Sequence, residues 1–228
     1  MKNNSISFNE LANKKYKLTN ETIELNGFTL YRIQALIGFS DVKVGDLGGW
    51  VEKESNLSQT GDAWVYDDAR VYDNAKVFNN AKVFNNAEVF GNARVYDNAE
   101  VYDNAKVCGK SWVSDSAKVY DNAIVGGESR VFRNAKVFDN AKVCGKSWVS
   151  NDAKVYGDAK VYGYTEVYGD ASIYGNARVY GNARVYGYAE VYGNAKICDN
   201  TGVSGSAKVF GDTWLFGDAE VSDKSVNA

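Results

Sequence analysis

The chain has 228 residues, 26 lysines and arginines against 29 aspartates and glutamates, and a net charge of −3, so no global field draws in nucleic acid or anionic lipid. It contains no proline, no histidine and three cysteines, an odd number without zinc-type spacing that fits a reducing compartment better than a disulfide framework. The opening MKNNSISFNELANKKYKL lacks the apolar core of a signal peptide, and no stretch approaches the roughly 18 apolar residues that span a bilayer. The expectation is a cytoplasmic protein with no membrane association.

Taken from the start, Ile23 and Leu25 alternate with polar residues, Asn26-Gly27 offers a type I′ turn, and Phe28 and Leu30 answer on a returning strand. This predicts a β-hairpin. Leu36, Ile37, Phe39, Val42, Val44, Leu47 and Trp50 supply apolar surface beyond it, enough to cover one end of whatever follows. Residues 1–50 are therefore read as an N-terminal β-hairpin cap and residues 51–228 as a second unit. Val51 and Leu57 look like its first two rungs, although the longer step from Leu57 to Val65 makes an irregular beginning.

From Val65 to Val221 an aliphatic residue recurs every six positions 27 times without insertion or deletion, and two residues before each stands Ala, Ser or Thr. A two-residue spacing of small and aliphatic side chains is the period of a strand and not of a helix. In each unit, of the form A-K-V-Y-G-N, the small and aliphatic residues point inward and the residues between and after them point outward. The fifth and sixth places carry mostly Gly, Asp or Asn, as in Gly175-Asn176, which tolerate the positive φ of tight corners. Residues 103–118, DNAKVCGKSWVSDSAK, recur almost unchanged as 139–154, an offset that equals two coils of three units each. Strands of four residues joined by two-residue corners then wind into a coil in which each strand pairs in parallel with its equivalent one coil on.

This pattern, seen in Ala177 with Val179 and Ala183 with Val185, resembles the bacterial transferase hexapeptide family over residues 63–223. The resemblance implies a left-handed handedness that the period alone does not give. The expected fold is all-β: a single-stranded left-handed parallel β-helix of about nine to ten coils with an N-terminal hairpin cap. The preceding segment, residues 30–69, is similar to the YdcK-like group of bacterial and prophage hexapeptide-repeat proteins.

Sorted by face, the aromatic position of the first face is unbroken: Tyr66, Phe84, Tyr102, Tyr120, Phe138, Tyr156, Tyr174, Tyr192 and Phe210. Stacked rings stabilise successive coils, and a stripe of this length also reads as an interface. The second face carries Cys108, Cys144 and Cys198, the first two about 9.6 Å apart and too distant for a disulfide. It also displays Arg70, Lys106, Lys142, Lys160, Arg178 and Lys196, but Glu88, Ile124, Trp214 and aspartate-rich corners interrupt the row, which reads as a solvated face and disfavours nucleic acid. Gly-Lys-Ser at 109–111 and 145–147 lacks the upstream glycine of a phosphate loop, and the corners lack a calcium-binding repeat.

Acyltransferases of the hexapeptide family commonly use a histidine base and the related γ-class carbonic anhydrases hold zinc with three, and neither has its key residue here. The expectation is a protein that is not an enzyme, with no catalytic residue, no metal and no cofactor: an interaction or scaffold protein of phage or prophage origin, working in host cytoplasm, that oligomerises with itself or binds a host or phage protein, an inhibitory role included. The alternative is an acyltransferase of histidine-free mechanism. Carbohydrate binding on the tyrosine stripe is a third, unsupported option.

Overall fold

A computed structural model describes residues 14–227; residues 1–13, which include part of the expected cap, and Ala228 lie outside the described residues. From residue 63 the chain forms a parallel β-solenoid of about ten turns, whose rungs fall into three sheets running its length; with the strands that precede the solenoid these sheets have 12, 10 and 9 strands. One coil is three hexapeptide units, since Lys118 pairs with Lys136 and Val119 with Val137, and the same offset repeats on every face.

Alternation of small and aliphatic residues produces this coil because both inward positions are buried: from Ala63 to Val209 their alanines and valines are all but inaccessible. The expected four-residue strand is shorter, a two-residue rung such as Lys118–Val119. The reason lies at the fifth position of the unit, where Asp, Asn or Gly, and once Arg133, turns left-handed, as at Asp121 with φ 56°. Backbone pairing nonetheless continues around the corners, with Tyr120 donating to the carbonyl of Val137 at 3.0 Å and Asn122 to that of Asp139 at 2.8 Å. Inward serine hydroxyls find local acceptors, Ser111 donating to the carbonyl of Cys108 and Ser129 to that of Gly126, both at 2.7 Å, whereas the buried hydroxyl of Thr201 has no partner among the described residues.

Strands β1 (Tyr16–Leu25) and β2 (Phe28–Ala35) form the expected hairpin, Ile23 opposite Leu30, with Asn26 and Gly27 at φ 52° and 84° in the turn. β2 pairs antiparallel with β3 (Leu47–Val51), which pairs parallel with the rung Arg70–Val71. The hairpin thus extends the 12-stranded sheet, and Leu30, Trp50 and Tyr72 form a cluster flanked by Ile23, Leu25, Phe28 and Phe90.

The end of the solenoid is closed by a partly different set of side chains from the one expected. Val42 and Trp50 are buried, but Ile37, Val44 and Leu47 are 49%, 69% and 53% exposed. Their place is taken by Tyr16, whose hydroxyl donates to the carbonyls of Glu54 and Leu57, and by Lys15, whose ammonium donates to that of Ala63 at 2.8 Å. Trp64 occupies a position that points outward in later units, yet it is buried, with Tyr16 and Phe39 edge-on to its ring at 6.0 and 5.4 Å. At the other end the chain continues past Val221: Ser225–Asn227 pairs with Lys208–Phe210 in a register one position short of a full coil, and Val226 packs on the core.

Candidate functional site

All nine aromatics of the first face lie on the ten-stranded sheet and form one column. Tyr66 meets Phe84 edge-on at 6.4 Å and 87°, and from Phe84 to Phe210 each ring stacks on the next at 4.7–5.1 Å and within 7° of parallel. Ring faces therefore cover one another and ring edges meet solvent. Burial pushes the Tyr102 phenol up to about 12, and those of Tyr120 and Tyr156 upward in the same sense, so these three rings carry no phenolate at neutral pH.

On the 12-stranded sheet the three cysteines are free thiols. Burial pushes Cys108 and Cys144 up, which disfavours the thiolate, and Cys198 accepts the indole N–H of Trp214 at 3.4 Å. Arg70 and Lys106 both reach Glu88, at 3.6 and 3.4 Å. No group of three or more metal-ligating side chains occurs among the described residues.

The side chains with the most varied chemistry converge on the third, nine-stranded sheet, around a groove of about 790 Å³. Its floor is the column of residues standing between the small and aliphatic positions of successive coils: Arg94, Trp112, Arg130, Trp148 and Glu166. Arg94 and Arg130 lie over the Trp112 ring at 5.4 and 4.4 Å, and Arg130 also lies 5.4 Å from the Trp148 ring, an alternating cation–π column. The wall is the corner column Asn92, Lys110, Glu128, Lys146 and Tyr164. Glu128 lies between Lys110 at 3.5 Å and Lys146 at 3.9 Å, and the Lys146 ammonium stands 5.1 Å from the Tyr164 ring centre.

Local sequence explains how this wall stands so close to the floor. Each corner of the wall begins with a left-handed glycine: a side chain on Gly127, at φ 69°, would place its Cβ 2.7 Å from the Gly145 carbonyl oxygen of the next coil. The near-duplicate segments 103–118 and 139–154 supply Lys110 with Trp112 and Lys146 with Trp148. Trp148 is 44% and Tyr164 60% exposed, and four cations against two carboxylates make the groove locally positive on an acidic chain.

None of the residues singled out from the sequence as an interface lies in this groove. A signal for it was present in the residue between the small and aliphatic positions, which, read once per coil, spells Arg-Trp-Arg-Trp-Glu. Sorting that in-between position on the second face alone, and not on the third, leaves the column unseen.

Comparison with known proteins adds two findings. Residues 171–187 and 177–193, two overlapping windows of the solenoid, match the family model described as the YdcK β-solenoid repeat. A stretch of 38 residues is 45% identical to a protein of Escherichia coli (strain K12) named "Uncharacterized acetyltransferase YdcK". That match covers 17% of this chain and 12% of the relative's length. The expected likeness to YdcK-type hexapeptide-repeat proteins therefore holds. The expectation of a protein that is not an enzyme is corrected: the relative carries the name of an uncharacterized acetyltransferase, which points toward an enzyme. The inference failed because it took the absence of one residue type, histidine, for the absence of catalysis, although carboxylates and tyrosines also move protons.

Proposed function

We propose that the chain is an acyltransferase of the hexapeptide-repeat type that works without histidine, with the groove on the nine-stranded sheet as its active site. The observation that carries this reading is the convergence of Arg130, Lys146, Tyr164 and Glu166 beside the exposed Trp148 ring, together with the relative named an acetyltransferase. Acyl transfer from a thioester exchanges a C–S bond for a C–N or C–O bond. One proton leaves the acceptor, and one thiolate leaves the donor. Arg130 and Lys146 bind the anionic groups of an acyl-CoA donor and stabilise the developing oxyanion. Glu166 takes the acceptor's proton; it is preferred over Glu128, which is engaged by two lysines, whereas among the described residues Glu166 pairs with Arg184 alone, at 3.8 Å and outside the groove lining. Tyr164, on the neighbouring corner, protonates the departing thiolate.

The test is release of free CoA from acetyl-CoA and longer acyl-CoAs, offered with panels of amine and hydroxyl acceptors, alongside calorimetry of donor binding. Glu166→Gln is expected to lower kcat on the order of a hundredfold with donor affinity kept, and Arg130→Ala to weaken donor binding. Failure of every donor to bind, or turnover unchanged in both variants, removes the groove as the site.

A further inference from the structure

We propose that the stripe along the edge of the 12-stranded sheet is a self-complementary surface on which two copies of this chain pair antiparallel. The stripe has two charge halves. Toward the N-terminal end, successive corners present Asp103, Asp121 and Asp139, each one coil from the next and all left-handed at φ 56–58°. Their oxygens make hydrogen bonds up and down the column, from the Asn85 amide to Asp103 and from the backbone N–H of Asp139 and Gly157 to Asp121 and Asp139, but none has an ion pair with a described residue.

Toward the C-terminal end, the rungs beside the same corners carry Lys142, Lys160, Arg178 and Lys196 in direct register. All four are exposed, and none has an ion pair among the described residues. Cations on neighbouring rungs, about 4.8 Å apart, repel one another. Elsewhere the solenoid relieves that repulsion by interleaving acids, as Glu88 does between Arg70 and Lys106 earlier in the same row and as Glu100 does for Lys118 on the ten-stranded sheet. From Lys142 to Lys196 no acid interrupts the row, and carboxylates at the same spacing stand in the other half of the stripe.

Both columns inherit the three-unit coil, so their charges share one pitch. A two-fold axis perpendicular to the solenoid axis reverses the order of the coils and lays the acidic half of each copy along the basic half of the other. The long lysine and arginine stems span the lateral step from rung to corner. Such an arrangement is isologous and closes at two copies. The opposing charges within each half are few: beside the acidic corners, Lys106 is paired with Glu88 at 3.4 Å and Lys142 stands next to Asp139 where the two halves meet, while Asp158 and Asp212 lie at corners of the basic half and Asp158 already accepts from Asn140 at 3.2 Å.

The experiment measures mass by sedimentation at low and high ionic strength. Wild-type protein is expected to be a dimer at low salt whose dissociation constant rises at least about tenfold at high salt. Lys142→Glu with Lys160→Glu and Arg178→Glu makes both halves acidic, and Asp103→Asn with Asp121→Asn and Asp139→Asn leaves the basic half without a counterpart. The fold admits both sets, since Glu88 and Glu100 occupy equivalent rungs and Asn85 an equivalent corner. Each triple variant alone is expected to be monomeric, and an equimolar mixture of the two to regain a dimer. A wild-type monomer at low salt, a dimer that survives either set, or a mixture that stays monomeric overturns the proposal. A wild-type monomer retained on heparin also overturns it, and would assign the basic half to a polyanion.

Discussion

The Tyr66 hydroxyl donates to Asp41 Oδ1 at 2.8 Å, and the Lys82 ammonium donates to the same oxygen at 2.9 Å. The first ring of the aromatic column is thereby tied to the loop that closes the solenoid, and it alone stands edge-on to its neighbour. The Lys82 bond, with that of Tyr66 behind it, holds the Asp41 carboxyl down at about 2. Its folded pKa lies below the unfolded value near 3.9, so its contribution is present above that value and is lost as pH falls through about 2. Because Asp41 is largely exposed, solvent screens the effect. Thermal midpoints at pH 5 and pH 2 are expected to differ more for wild type than for Asp41→Asn; equal differences would show that the loop is held by its apolar contacts alone.

Lys15 supplies the opposite sign. Burial lowers its ammonium from 10.5 to about 8. The cost of burying the charged form is present in full below about 8 and disappears as pH rises through 10.5, so stability should climb between those values. Denaturant titrations across this window should show the climb in wild type and not in Lys15→Met.

Ala153 is inaccessible at an inward corner of the core. Its replacement by leucine overpacks a coil whose neighbours above and below are fixed by the same register, at a cost of about 1–3 kcal/mol. A denaturant midpoint unchanged in Ala153→Leu would contradict the inward assignment.

Changing Tyr120, Phe138 and Tyr156 to serine removes four stacked pairs, each worth about 0.5–1.5 kcal/mol, whereas the same change at Phe132, Tyr168 and Tyr186 removes only the pair Tyr168–Tyr186. The first set is expected to lower the unfolding midpoint more. Light scattering on both sets tests the row as an interface: a fall in oligomer mass confined to the first set supports that proposal, and masses unaffected by either leave the column an intramolecular ladder.

The core was legible because burial in this fold depends on position within the hexapeptide: Val119, Val137 and Val155 are inside for the same reason, and Lys118 and Tyr120 outside. Departures from that rule were not. Trp64 is buried because a loop from a distant part of the chain lies on it, a contact that no period encodes. The groove was hidden for a related reason, since Arg94, Trp112 and Arg130 touch only across coils, and the in-between position was followed down the second face but not down the third.

Near-identical coils leave the chain without an internal ruler. Slipping the pairing by one whole coil would set valine on valine and alanine on alanine again, with every inward and outward direction preserved. What cannot slip is the irregular end: Asn56, buried in a short 3₁₀ turn, donates to the carbonyls of Asp73 and Ala75, and Tyr16 to those of Glu54 and Leu57. These unrepeated contacts number the coils from one end. Chains that begin winding in the middle would have to unwind before they could join that end in phase, so the cap acts as the zero mark from which correct winding proceeds.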